Sequence, residues 1–290
     1  MENFVNNQEK IIPTEKECEQ ESSVKIYLFR HGKKDGELLS TQGKSDAREM
    51  GLKLGANKEM ALAAGSFADR TLESSLRVMM PAEFEDEESF FEVESKINKE
   101  LKVGKKFYRD ARLGFETNGP VFNDALEAFN NGNYMEWLYS ESDRIAVEKK
   151  DTTFSTYSRQ AANIAEIIKK YIKLSDNFNN LVVKKEEYQR NGRNKLERYL
   201  GSHQSVPESF ILEILKRAGN EKVAKSLASD MKNGWGELKS LSVEIKNKGK
   251  KKIIIISYPT LEGLKEIEIK PEIIDEIIVA RQEFEKLFRE

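Results

Sequence analysis

Three short stretches carry side chains that could act together on a phosphate ester. Arg30-His31-Gly32 sets a guanidinium beside an imidazole. The planar Arg fork matches phosphate oxygens, and a neutral imidazole can attack phosphorus and hold a covalent intermediate. Gly32 lets the backbone turn sharply and come close to a ligand. In Ser66-Phe67-Ala68-Asp69-Arg70 a second guanidinium stands where a helical pattern opens. The free N–H groups and partial positive charge of a helix N-terminus favour an anion there. The third stretch, Gly201-Ser202-His203-Gln204, holds the second of the chain's two histidines.

These residues need a frame that brings them to one place. Val24 to Phe29 is short, aromatic and β-branched, which predicts a strand buried between two helical layers and ending at Arg30-His31-Gly32. Thr41 then caps a helix from about Gly43 to Leu54. Met60 to Ala64 has a weak strand pattern of Ala and Leu, favoured by its place after a helix, and a helix follows from Arg70 to about Met79, closed before Pro81. Strand, polar loop and helix thus recur in βαβ order. Lys195 to Leu200 is a further strand, and after His203 the spacing of Ser205 and Glu208, with Pro207 in the first turn, predicts a capped helix start. Ligands of open α/β sheets bind at the carboxyl ends of strands, so the three stretches converge on one edge.

Elsewhere, Phe154, Tyr157, Ala161, Ile164, Ile168 and Tyr171 recur at helical spacing. Val243 to Ile245 and Ile253 to Ile256 predict an antiparallel pair, and Pro271 to Phe288 a last amphipathic helix. Residues 81–151 are acidic, aromatic and irregular and read as an insertion or lid, with Tyr134, Trp137 and Tyr139 as its packing residues. The fold class expected is α/β, a three-layer sandwich with a mainly parallel central sheet and a helical insertion, in one domain over residues 24–290. Residues 1–23 read as a disordered or loosely attached tail.

In these segments the chain resembles the histidine phosphatase superfamily, also called the phosphoglycerate mutase-like family. Lys25-Ile26-Tyr27-Leu28-Phe29-Arg30-His31-Gly32 matches its opening strand, Leu39-Ser40-Thr41-Gln42-Gly43 resembles its Leu-Thr-x-x-Gly turn into a helix, and Ser66-x-x-x-Arg70 resembles its Ser-Pro-Leu-x-Arg segment. The resemblance implies a phosphomonoester hydrolase with His31 as nucleophile. It implies Arg30, Arg70, Gly32 and Ser66 around the phosphate, and His203 as the second histidine on the phosphoryl group. Ile253 to Tyr258 resembles the strand leading to that histidine but ends in Tyr, and His203 is chosen because imidazole can carry positive charge near neutral pH. Glu116, in Arg112-Leu113-Gly114-Phe115-Glu116, stands nearest to the family's proton-donor pattern, with Asp110 and Asp124 as competitors. Lys33, Phe67 and Gln204 depart from the family's residues. They motivate one alternative, a phospholigand-binding or scaffold protein of the same fold; a phosphomutase is a second, since exclusion of water by the lid is not read from the sequence.

Composition narrows the remaining classes. Lys and Arg total 48 against 50 Asp and Glu, so the charge balance gives no reason to expect nucleic acid or an anionic membrane as partner. The basic run Lys246 to Lys252 lacks interleaved aromatics and reads as a solvated hairpin tip. Lys33 and Lys34 read either as a solvated turn or as steering groups for an anion. Cys18 is the single cysteine, which excludes a disulfide framework within the chain. No signal-peptide core and no membrane-length apolar stretch is seen, so a cytoplasmic protein is expected. Its expected partner is a small phosphorylated substrate, with no metal and no cofactor, and no oligomeric state is read from the sequence.

Overall fold

The computed structural model describes residues 21–55, 59–84, 88–92, 94–95, 106–248 and 251–289. Among the described residues, nine strands and nine helices of at least seven residues follow in chain order. They are β1 (Glu21–Arg30), the small hairpin β2 (Lys34–Asp35) and β3 (Leu38–Leu39), α1 (Thr41–Leu54), β4 (Ala61–Gly65), α2 (Asp69–Met79) and β5 (Phe107–Arg109). Next come α3 (Phe122–Asn130), α4 (Tyr134–Ser140), α5 (Ser142–Glu148), α6 (Tyr157–Lys184), β6 (Lys195–Ser202), α7 (Val206–Arg217) and α8 (Glu221–Met231). The chain closes with β7 (Ser240–Lys248), β8 (Lys251–Thr260), β9 (Gly263–Ile269) and α9 (Pro271–Lys286).

Seven strands form one sheet in the order β5-β4-β6-β1-β7-β8-β9. The pairs among β5, β4, β6 and β1 are parallel, and those from β1 through β9 antiparallel. Five strands therefore share one direction, and the sheet is mainly parallel, with a meander on one flank. The expected antiparallel pair is β7 and β8. β9 was not foreseen, because Gly263-Leu264-Lys265-Glu266-Ile267-Glu268-Ile269 is exposed over most of its length. Charges on an edge strand of that kind discourage pairing with another chain.

The period-two alternation of β1 builds the three layers. Val24, Ile26 and Leu28 face one apolar cluster, with Ile164, Ile168, Phe210, Ile214 and Ile274 of α6, α7 and α9. Tyr27 and Phe29 face the other, with Ala47, Leu72 and Leu76 of α1 and α2. The poor apolarity of β4 has a cause in this packing. A Cβ on Gly65 would lie 2.4 Å from the Leu72 nitrogen, and one on Gly201 of β6 would lie 2.1 Å from the Thr71 carbonyl oxygen. Small residues let α2 come down onto the sheet, and that helix is buried from Thr71 through Met79.

Several expected boundaries shift. Ser40, not Thr41, caps α1, its hydroxyl accepting from the Gly43 amide at 3.1 Å. The tail expected at 1–23 lies outside the described residues except for Glu21 to Ser23, which begin β1. Cys18, part of the charge run 83–88, and residues 96–105 of the expected insertion also lie outside them. Within that insertion β5 pairs with β4 at the sheet edge. Tyr134 is buried, and its ring stacks on Trp137 at 5.9 Å between centroids.

Candidate active site

The register of β1 on β6 sets the site. Arg30 pairs with Ser202, and the His31 amide continues the ladder, donating to the Ser202 carbonyl at 3.0 Å. Each strand's next residue with a functional side chain therefore emerges at the same level of the carboxyl edge. The imidazoles of His31 and His203 meet edge to face, with ring centroids 5.5 Å apart. Both are buried, at 6% and 7% exposure. The geometry brings His203 here, whereas Tyr258 lies on β8, two strands away from β1, and pairs with Lys265 of β9.

Hydrogen bonds fix the proton positions on His31. Nδ1 lies 2.8 Å from the Gly32 carbonyl oxygen, which can only accept, so Nδ1 carries the proton. Nε2 lies 3.2 Å from Arg70 Nε, which can only donate, so Nε2 keeps its lone pair. Burial pushes the His31 pKa down to about 4, and Arg70, Arg30 and Lys34 lower it further against the opposing Gly32 bond. The ring is neutral at pH 7, with its basic nitrogen facing a guanidinium.

His203 is held from the α2 side. Ser66 Oγ lies 2.9 Å from His203 Nε2, 3.0 Å from Thr71 Oγ1, and accepts from the Ala68 amide at 3.1 Å. Thr71 spends its only proton on the Ala68 carbonyl at 2.7 Å, so the Ser66 proton goes to Thr71 and His203 Nε2–H donates to Ser66. Phe115 closes another side of the ring, edge-on with centroids 5.2 Å apart. Burial first, then the charges of His31, Arg70, Arg30 and Lys34, push the His203 pKa down to about 3. A phosphoryl dianion between the rings would oppose both shifts.

The two guanidinium groups come from different elements, β1 and α2. Arg70, at the N-terminus of α2, also reaches Glu37 of the β2–β3 turn at 3.0 Å. Arg30 donates to the Trp235 carbonyl at 3.1 Å and lies 3.6 Å from Glu237, while its Nε is buried with no partner among the described residues. The segment 233–238 forms a strap around Arg30. Leu238 N donates to the Arg30 carbonyl at 3.1 Å, Gln204 donates to the Asn233 carbonyl, and Trp235 N donates to Glu208 Oε1 at 2.8 Å. Full burial raises the Glu208 pKa to about 7, partly offset by the Trp235 bond and the Arg30 charge.

Three more of the expected site residues have these surroundings. Ser66 has its proton and lone pairs committed to Thr71, His203 and Ala68, so it positions His203 and has no capacity left for phosphate. Gly32 N–H donates to Ser74 Oγ at 3.0 Å, and a Cβ there would lie 2.8 Å from the Gly43 carbonyl oxygen. Gly32 thus lets the loop lie on α1. Glu116 is exposed, and its carboxylate makes no hydrogen bond or ion pair among the described residues; its backbone pairs with Ser155. Asp110 is tied to Arg112 at 2.7 Å and Asp124 to Lys149. The capping box expected at α7 is absent too. Ser205 takes a left-handed backbone with φ of 74° and donates to Gln160 at 2.8 Å, and Glu208 serves the strap.

Sequence reasoning missed Phe115, Thr71, Glu37, Glu208 and the strap. Only Glu208 left a signal, a carboxylate inside the apolar run Val206 to Leu215. Among the described residues no group of three or more His, Cys, Asp or Glu could hold a metal ion, and no helix is long and apolar enough to cross a membrane.

Fold and site together define an α/β protein in which two imidazoles face each other beside the Arg70 guanidinium, with Arg30 next to His31 in the chain, at the carboxyl edge of its sheet. No protein-family model matches the chain, and no curated protein matches it in sequence. Among solved structures it is similar to one described as mycobacterial hydrolase 1, at 13% identity over 77% of this chain and 91% of that one, with a TM-score of 0.42. It is similar to mycobacterial glucosyl-3-phosphoglycerate phosphatase in complex with VO3, at 14% identity over 76% of this chain and 92% of that one, with a TM-score of 0.37. Mycobacterial hydrolase 2 is 12% identical over 90% of this chain and 97% of that one, with a TM-score of 0.39.

Proposed function

We propose that the protein is a phosphomonoester hydrolase of the histidine phosphatase kind, working through a phosphohistidine on His31. One observation carries the reading. His31 is buried and neutral, its Nδ1–H is spent on Gly32, and its Nε2 lone pair is aimed at a guanidinium, where a phosphate would sit. An arriving phosphate displaces the Arg70 bond and takes Arg70 and Arg30 as ligands, so their charge screens the electrons of the ester oxygens from the nucleophile.

The reaction then has two steps. In the first, Nε2 attacks phosphorus in line, a P–N bond forms, the ester P–O bond breaks, and the leaving oxygen takes up a proton. In the second, water attacks phosphorus, the P–N bond breaks, orthophosphate leaves and His31 regains its lone pair. His203, anchored by Ser66, faces the transferring group on the other side. With Glu116 exposed and unbonded among the described residues, the leaving oxygen takes its proton from water at the mouth of the site, and the water consumed in the second step returns one.

The test is turnover of a panel of phosphomonoesters without added metal, alongside His31→Gln, with acid and base quenching to trap the intermediate. The expected result is base-stable, acid-labile phosphoprotein in the parent and none in the variant, whose rate falls by at least about a thousandfold. Activity that survives His31→Gln would refute the assignment of the nucleophile.

A further inference from the structure

We infer that the apolar cavity beside His203 seats the leaving group, so that the substrates are phosphomonoesters of alcohols carrying an apolar ring. The inference rests on the hydrolase reading above and deepens it. The cavity encloses about 170 Å³, and Phe115, whose ring abuts His203, lines it together with Gln204 and Ser205, the two residues that follow His203. It therefore lies beside the reacting centre, with Phe115 as the wall common to both. A cavity of about 150 Å³ lined by aliphatic and aromatic side chains is enough for one benzene ring.

The lining chemistry selects the guest. Half of the ten residues of the wall are Phe122, Leu126 and Phe129 of α3 with Phe115 and Phe154. Of the four polar side chains in it, three already have partners, and the Thr117 hydroxyl has none among the described residues. Gln204 is bonded to the Asn233 carbonyl and Ser205 to Gln160, and the Tyr134 hydroxyl is bonded to Ser205 and Gln160. A sugar or glycerol leaving group would lose water and find few open donors or acceptors. The opposite holds for an apolar ring. Phe122, Leu126 and Phe129 repeat at helical spacing yet stay 38%, 44% and 44% exposed, while Ala125 and Ala128 of the same helix are buried. The helix buries its small residues and presents its large apolar ones to the cavity mouth, where a guest would cover them.

The test compares esters whose leaving alcohols have similar acidity, 2-phenylethyl phosphate against glycerol 3-phosphate, in the parent and in Leu126→Asp. That position is partly exposed, so the change disturbs little of the core. The parent is expected to favour the phenyl ester at least about tenfold in kcat/KM, and Leu126→Asp to bring the ratio of the two esters' kcat/KM to about one. Equal kcat/KM for the two esters, or a preference that survives Leu126→Asp, would overturn the inference while leaving the hydrolase intact. If neither ester turned over, the hydrolase reading would fail and affinity would decide the cavity. Phenylphosphonate binding about tenfold tighter than methylphosphonate, with the gap lost in Leu126→Asp, would support it. Equal affinities would overturn it.

Discussion

Lowering the pH should leave both histidines uncharged long after ordinary histidines have taken up a proton. An unperturbed imidazole is about three-quarters protonated at pH 6, whereas a group titrating near 4 is about 1% protonated there and one near 3 about 0.1%. Those are the positions burial and the surrounding cations give His31 and His203. With two histidines in the chain, a long-range proton–nitrogen NMR spectrum contains two rings, which His203→Asn separates. The expected spectrum shows His31 with its proton on Nδ1 and a bare Nε2 down to pH 5. A midpoint near 6.5, or the proton on Nε2, would refute the nucleophile's geometry.

The same shifts set the stability profile. Below pH 6.5 the unfolded chain binds protons that the folded rings refuse, so stability is complete above 6.5 and falls as pH drops toward their folded values. At about 1.4 kcal/mol per pH unit, the limiting loss is about 3 kcal/mol for His31 and about 5 kcal/mol for His203. Glu208 acts with the opposite sign. Its folded value near 7 lies above the usual 4.5, so its penalty accumulates as pH rises from 4.5 to 7. Between pH 6.5 and 4.5 the three groups together leave the unfolded state about one proton ahead, a net loss of about 1.4 kcal/mol for each unit of acidification. Urea midpoints at pH 7.0 and 5.5 measure it. In His31→Asn/His203→Asn only Glu208 remains of the three, and the slope should reverse; an unchanged slope would sink the assignment.

Ser66→Ala leaves His203 Nε2–H without its acceptor and should lower kcat by about 10- to 100-fold with little change in KM, since the loss of a buried partner costs about 1–3 kcal/mol; steady-state kinetics would show it. Gly201→Ala drives a methyl into the Thr71 carbonyl and should destabilise the fold by about 1–3 kcal/mol in urea titration, because backbone cannot yield as a flexible side chain would. Glu37→Gln frees Arg70 from a partner that is largely in solvent, and inhibition by orthophosphate should tighten about two- to fivefold; weaker inhibition would contradict it. Glu116→Gln should keep kcat within about twofold, and a hundredfold fall would return the proton-donor role to it.

The parts of the site legible in the sequence were those built from local signals. Arg30-His31-Gly32 follows a β-branched strand, Arg70 opens a helix and His203 lies between strand and helix, so each position is visible within about ten residues of chain. That the two imidazoles face one another follows from the β1–β6 register, which places Arg30 opposite Ser202. The strap was illegible because Asn233, Trp235 and Glu237 are ordinary in type and act through backbone carbonyls and amides. Ser66 looked like a phosphate ligand because a free hydroxyl is what a sequence displays; its full set of partners exists only once α2 sits on Gly65 and Gly201. The helix start at Ser205 failed for a related reason. Glu208 gains more from a backbone amide across the fold than from its own helix terminus.

The pairing of β1 with β6 also orders events in time. Its two strands come from opposite ends of a long loop of chain, and the parallel contact cannot close until everything through Ser202 exists, at an entropic cost that local helices do not meet. During synthesis the first imidazole emerges early and waits, without a partner, for the second. Catalytic competence should therefore appear late and all at once during refolding, after helix formation, and chains cut before β6 should collapse into helical species with no turnover at all.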